Sequence, residues 1–265
     1  MKRLSILGAV AGDVIGSVYE FVGAGGPEVE FFAEGCRLTD DTVLTLAVSD
    51  WLMNPGSDVR DFLLAYGRKM NMVGYGPAFA HWLMSENPQP YGSCGNGSAM
   101  RVSAVGLVAK TEEEAMELAR LSALPTHGHP EGIKGAQAVA VAMVMARSGK
   151  CKGEIRTRMK ELFDYDLDRS FEELYDAPYE FHVLCQNTVP EALVCFFESE
   201  SYEDCIARAI LTNRDADTAA AIAGAVAGAY YGVPDEICRK TLECLPKGLA
   251  RIAREFDSRF CHYED

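Results

Sequence analysis

The chain has 265 residues, 48% of them hydrophobic, which is enough to bury a sizeable core. Its formal net charge is -14 and no Lys/Arg cluster is present, which speaks against a phosphate-backbone binder and reads as solubility. Nine cysteines are scattered without CxxC spacing, a pattern that fits a reduced cytoplasmic compartment.

The start, "MKRLSILGAVAGDVIG", has the outline of a secretion signal: two basic residues and then an apolar run. Asp13 interrupts that run, and Gly8, Gly12 and Gly16 recur every fourth residue. That spacing predicts a close-packed helix instead. No apolar run reaches about 18 residues, so no membrane span is expected. In "RLTDDTVLTLAVSDWL" (37–52) Thr39 is a good N-cap. Val43, Leu44, Ala47, Val48 and Trp51 form an apolar stripe behind it, which places Asp40 and Asp41 in the first turn of a helix. Capped helices are predicted over 57–70 and over 111–124, the second with Thr111 and Glu114 as a capping box. The Ala-rich stretch 131–146 is apolar on almost every face, as in a buried central helix. "CQNTVPEAL" (185–193) reads as a turn into a helix, with Thr188 near its cap and Glu191 three positions later. A helix from Ser201 follows. "GAVAG" at 8–12 returns at 224–228, and a last amphipathic helix plus a tail ends the chain. Alternating β-branched runs are missing and no Pro/Ser-rich linker occurs, so the expected fold is all-α, in one domain over residues 1–265.

Two acidic clusters carry the chemistry. "TDDT" (39–42) and "DADT" (215–218) each place two Asp and a Thr at the start of an apolar helix. A single Asp there serves as a complement to the helix dipole, but a second adds little capping. Four carboxylates brought together in a half-buried site cannot all stay ionised unaided. Two hard divalent cations, Mg²⁺ or Mn²⁺, would resolve the repulsion. Spacing alone leaves open whether the two ends meet, since Asp41 and Asp215 lie 174 positions apart. "YGSCGNGSAMR" (91–101) has glycines and small polar groups suited to a phosphate cradle, or equally to a tight turn. "THGHPEG" (126–132) holds two His, but no further ligand at zinc spacing accompanies them.

In order, these motifs resemble the ADP-ribosylglycohydrolase family, from "GAVAGDVIGSVYE" through "TDDT", "GNGSAMR" and "THGHPEG" to "DADT", over about residues 5–232. The resemblance implies a compact, mostly orthogonal all-α fold with a two-metal cleft. The family's metal ligands fall on Thr39, Asp40, Asp41, Asp215, Asp217 and Thr218, and its functional glutamate falls on Glu20, with Asp41 also placed at the reaction centre. Asp13 would support the site structurally. The phosphate loop falls on Ser93, Cys94, Gly95, Asn96 and Gly97, and the histidine near the diphosphate and ribose falls on His127. Implied substrates are ADP-ribosylated protein, arginine first, or a small-molecule ADP-ribose conjugate; a nucleic acid enters only as a modified base. Relatives commonly carry Gly-Gly where this chain has Asn213 and Arg214. Arg214 would either add a phosphate contact or crowd the site. That departure motivates a second hypothesis, an ADP-ribose-sensing module with little turnover. A prenyl-diphosphate enzyme is a third, but its DDxxD spacing fails at Leu44 and Thr45.

Overall fold

The computed structural model describes residues 2–70, 73–177, 182–261 and 263–264. Its helices are α1 (Leu7–Gly16), α2 (Asp40–Met53), α3 (Val59–Lys69), α4 (Pro77–Met84), α5 (Gly97–Met100), α6 (Ser103–Val108), α7 (Glu112–Ala123) and α8 (Pro130–Arg147). There follow α9 (Lys152–Phe163), α10 (Phe171–Tyr175), α11 (Cys185–Glu198), α12 (Tyr202–Thr212), α13 (Ala216–Tyr231), α14 (Asp235–Cys244) and α15 (Lys247–Phe260). The fold is all-α, as expected. Among the described residues its strands are one short antiparallel pair, β1 (Lys2–Arg3) with β2 (Tyr263–Glu264), which the helical periodicity did not announce.

The glycine spacing explains the centre of the fold. α1 lies along α13, and a Cβ on Gly12 would stand 2.1 Å from the Ala220 carbonyl oxygen. At Gly16 it would stand 2.6 Å from the Ala216 carbonyl oxygen, and at Gly8 2.9 Å from that of Gly224. Any side chain at Gly12 or Gly16 would force the backbones apart, and the two "GAVAG" stretches meet where Gly8 lies against Gly224 and Gly228. The Tyr202 hydroxyl donates to the Gly8 carbonyl at 2.7 Å and braces the pair from α12. At the same end α1 starts on Asp257 of α15, whose carboxylate accepts the Ile6 amide at 2.8 Å.

α2 and α8 are the other buried rods. From Asp41 to Ser49 every residue of α2 is buried, so its apolar stripe is part of a helix enclosed on all sides. Its buried hydroxyls bond backbone carbonyls, Thr45 to Met100 and Ser49 to Thr45, which removes most of the desolvation cost of those groups. α8 is buried along most of its length, as its Ala-rich pattern implies.

Two capping expectations are corrected. Thr111 caps α7 by accepting the Glu114 amide at 3.2 Å, but Glu114 turns back to the Lys110 amide, not to that of Thr111, so the box is half formed. The helix containing Thr188 begins three residues earlier, at Cys185, with Leu184 at the N-cap. The Leu184–Gly95 bridge and the Cys185 amide on the Cys94 carbonyl already anchor that end. The Thr188 hydroxyl is therefore free to donate to the His182 carbonyl at 2.8 Å.

Candidate active site

Four elements deliver the acidic side chains to one place. Thr39 is the N-cap of α2 and accepts the Asp41 amide at 3.3 Å. Behind it lies Asp13, on α1 and fully buried. Its carboxylate accepts the Thr39 amide at 3.0 Å, the Thr39 hydroxyl at 2.7 Å and the Thr42 amide at 3.1 Å, and it also takes the Thr42 hydroxyl. Asp13 thus ties the first turn of α2 to α1, and the glycine contact ties α1 to α13. This chain of contacts fixes the N-terminus of α2 against that of α13. The outcome is visible in one hydrogen bond: the Thr218 hydroxyl donates to Asp41 Oδ1 at 3.3 Å, across 177 positions of sequence.

At the α13 end, Asp215 is the N-cap and Asp217 lies in the first turn. Asp215 accepts the Asn96 side-chain amide at 2.6 Å, which joins the glycine-rich loop to the acidic cluster. Glu20, in the turn after α1, completes the group: Glu20, Asp215 and Asp217 each offer a carboxylate oxygen, and these lie within 4.8 Å of one another.

Crowding of like charge out of water shows in the proton affinities. Burial first, then Asp215, pushes Glu20 up to about 7, with Arg37 opposing. Burial and then Asp13 push Asp40 to about 7, although one edge of Asp40 stays exposed. Burial raises Asp215 to about 6 against the hydrogen bond from Asn96. Asp41 and Asp217 are raised well above the ordinary range by burial, and then by Asp217 and Asp215 respectively. A second observation points the same way: Asp41 Oδ2 is buried with no hydrogen-bond partner among the described residues. A buried, unpartnered carboxylate oxygen inside a set of hard oxygen donors fits a divalent cation such as Mg²⁺ or Mn²⁺.

The loop at 93–97 runs beside this cluster. Its Ser93, Gly95 and Asn96 amides are committed to the Thr126 carbonyl, the Ser93 hydroxyl and the Val183 carbonyl. The Asn96 side chain also donates to the Thr188 hydroxyl at 3.1 Å. His127 lines the loop from below; its Nε2 lies 3.0 Å from where a Cβ on Gly97 would stand. His127 is buried and paired to Thr126, whereas His129 caps α8 by accepting the Glu131 amide. The two histidines therefore serve separate local roles and do not form a joint zinc pair.

Asn213 and Arg214 correct one expectation. Neither has a positive φ, so the backbone there needs no glycine. Arg214 is exposed and does not crowd the cluster, while its carbonyl accepts the Phe21 amide at 2.8 Å. Asn213 is fully buried, and its side-chain oxygen accepts the Asp215 amide at 2.9 Å. Its side-chain nitrogen donates to Glu191, which also pairs with His182 Nδ1 at 2.9 Å. Asn213, Glu191 and His182 thus support Asp215 from behind. Sequence reading assigned them no such role, because only the buried side-chain contacts identify it. A cavity of about 570 Å³ lies on the outer side of Glu191, lined also by Lys134, Tyr165, Arg169 and Asn187. It borders the support of Asp215, not the carboxylate cluster.

The chain is all-α and gathers carboxylates at two helix N-termini beside a glycine-rich loop, a donor set that could hold a divalent cation. The pattern of the family described as ADP-ribosylglycohydrolase matches residues 3–263, and the chain belongs to that family. It is 26% identical over 258 residues to the ADP-ribosyl-[dinitrogen reductase] glycohydrolase of Rhodospirillum rubrum, covering 87% of this chain and 85% of that one. It is 28% identical over 188 residues to the ADP-ribosylhydrolase ARH3 of Homo sapiens, covering 54% of this chain and 51% of that protein. A solved structure titled "ADP-ribosylglycohydrolase-related protein complex" superposes with a TM-score of 0.74 at 25% identity, covering 95% of this chain and 94% of that chain. No helix among the described residues is long and apolar enough to cross a membrane.

Proposed function

We propose that the chain is a divalent-cation-dependent hydrolase that removes ADP-ribose from an acceptor, with an arginine-linked protein as the first substrate to test. The observation that carries this reading is the meeting of Asp41 with Thr218 beside Asp41 Oδ2, which is without a hydrogen-bond partner among the described residues. Thr39, Asp40, Asp41, Asp215, Asp217 and Thr218 would hold two cations, Mg²⁺ or Mn²⁺. When bound, the cations would supply positive charge that polarises the oxygens of the distal ribose and of water.

The protein's own groups do the rest. Glu20, half-buried beside Asp215 and Asp217, is the carboxylate that would exchange a proton with the leaving group or with water. The loop from Ser93 to Gly97, with His127 beneath it, would hold the diphosphate. With the Ser93, Gly95 and Asn96 amides already committed, the Cys94 and Gly97 amides, the Ser93 hydroxyl and the His127 ring would be the donors offered to it. Exposed Arg214 would meet a phosphate or the acceptor at the rim. The alternative is an ADP-ribose-sensing module with little turnover; the exposure of Arg214 supports the hydrolase reading over it. Cytoplasmic residence is proposed on the unpaired cysteines.

The test is release of free ADP-ribose from arginine-, serine- and nucleobase-linked conjugates and from O-acetyl-ADP-ribose, each with Mg²⁺ or Mn²⁺. Release from one linkage would name the acceptor. Binding of ADP-ribose without release from any would overturn the hydrolase reading.

A further inference from the structure

The fully buried guanidinium of Arg101 has no part in the acidic cluster, and its burial is costly. Its Nε and Nη1 have no partner among the described residues. Only Nη2 is engaged, donating to the Ser122 carbonyl and to the Thr126 hydroxyl, each at 2.8 Å. The Thr126 hydroxyl lies 2.8 Å from His127 Nδ1. Because Thr126 accepts from Arg101, its own proton is left to donate. Among the hydrogen bonds of the described residues, His127 Nδ1 is the acceptor available to it. A hydrogen bond into Nδ1 leaves the ring proton on Nε2, since the bond at one ring nitrogen sets the state of the other.

We propose that Arg101 and Thr126 form a buried positioning relay that locks His127 as the neutral tautomer protonated on Nε2, so that one fixed N–H donor faces the Ser93–Gly97 loop. Nε2 faces the loop's glycines: a Cβ would stand 3.0 Å from it at Gly97 and 3.7 Å from it at Gly95. A side chain at Gly97 would crowd the donor. Burial first, and then the Arg101 charge, holds the His127 imidazolium well below its ordinary range, which favours the neutral ring. An acceptor oxygen of an anionic ligand over the loop then meets a donor already oriented, and the relay places the Arg101 charge behind it. The ligand named here, the diphosphate of ADP-ribose, rests on the proposed function; the tautomer does not.

The experiment is two-bond ¹⁵N–¹H correlation spectroscopy of the ¹⁵N-labelled full chain, with the His127 signals assigned by their loss in His127→Gln. The expected wild-type result is a protonated Nε2 and an unprotonated Nδ1, unchanged between about pH 5 and pH 8. Thr126→Val should let the two nitrogens average and weaken ADP-ribose binding about tenfold, the scale of one hydrogen bond to a charged group. Thr126→Ser should restore both. A wild-type ring protonated on Nδ1, or titrating in that window, would overturn the relay. So would a Thr126→Val chain that keeps the tautomer and the affinity. If Thr126→Val does not fold, the wild-type spectrum and Thr126→Ser still decide. A locked tautomer in a chain that binds no ADP-ribose would sustain the relay and overturn the proposed function.

Discussion

Gly12→Ala should damage both stability and cation binding, although alanine is the better helix former. In the abstract, the change favours the helix by about 0.5–1 kcal/mol. Against that, the new Cβ would lie 2.1 Å from the Ala220 carbonyl oxygen, 2.4 Å from its carbon and 2.7 Å from the Ala221 nitrogen, where ordinary contact begins at 3.4 Å. The shortfall is about 1.3 Å, and all three atoms are backbone, so no rotamer change relieves it. Overpacking costs about 1–3 kcal/mol, with a rigid backbone wall at the upper end, which leaves a net loss of about 2 kcal/mol. For a chain of this size that lowers the melting temperature by about 4–8 °C. The functional effect should be larger. A metal site tolerates roughly 0.2 Å in ligand distance, and α13 carries Asp215, Asp217 and Thr218 against Asp41. The assays are thermal melting and Mn²⁺ titration by calorimetry. Gly248→Ala is the control, because nothing lies within 4 Å of its Cβ position. If Gly12→Ala melts and binds Mn²⁺ as wild type does, the backbone contact does not set the site.

Three further outcomes are expected. Asp217→Asn should remove Mn²⁺ binding and lower turnover by at least about a hundredfold while the far-UV circular dichroism stays unchanged; wild-type turnover in this variant would refute the ligand assignment. Asp13→Ala leaves the buried Thr39 and Thr42 amides without their acceptor, at about 1–3 kcal/mol each, so the melting temperature should drop by at least about 4 °C; a melt within about 1 °C of wild type would contradict the tie between α1 and α2. Without added cation, the folded chain holds protons on Glu20 and Asp40 up to about 7 and on Asp215 up to about 6. The unfolded chain releases them near pH 4. The stability they contribute is therefore full below about pH 4 and is lost as pH rises through 7. Melting of the chelated protein should be lower at about pH 8 than at about pH 5, with Mg²⁺ or Mn²⁺ closing the gap; a chelated protein more stable at pH 8 would reverse the sign and contradict it.

Each half of the site was legible locally, because helix starts have a short-range signature: Thr39 before Asp40, and Asp215 before the small-residue run of α13. Their meeting was not, because it depends on the Gly8–Gly12–Gly16 face and on the four hydrogen bonds to Asp13. Motif order supplied the pairing that periodicity could not. The start of α11 was misplaced for the opposite reason. Thr188 has the chemistry of a cap, but bonds from Cys94 and Gly95 pin the chain three residues earlier, and its hydroxyl is drawn into the contacts of Asn96 and His182. The roles of Asn213 and Glu191 were hidden likewise, since a buried side chain that supports another, as they support Asp215, leaves no spacing to read.

The most direct test of the account is single-turnover release of ADP-ribose from an arginine-linked substrate, by chelated enzyme and then after Mn²⁺ is restored. The account predicts negligible release with chelator and recovery on Mn²⁺ addition in the wild type, with no recovery in Asp41→Asn. Equal release with and without chelator, or Mn²⁺-dependent release by Asp41→Asn, would contradict the claim that these carboxylates hold the cations for ADP-ribose hydrolysis.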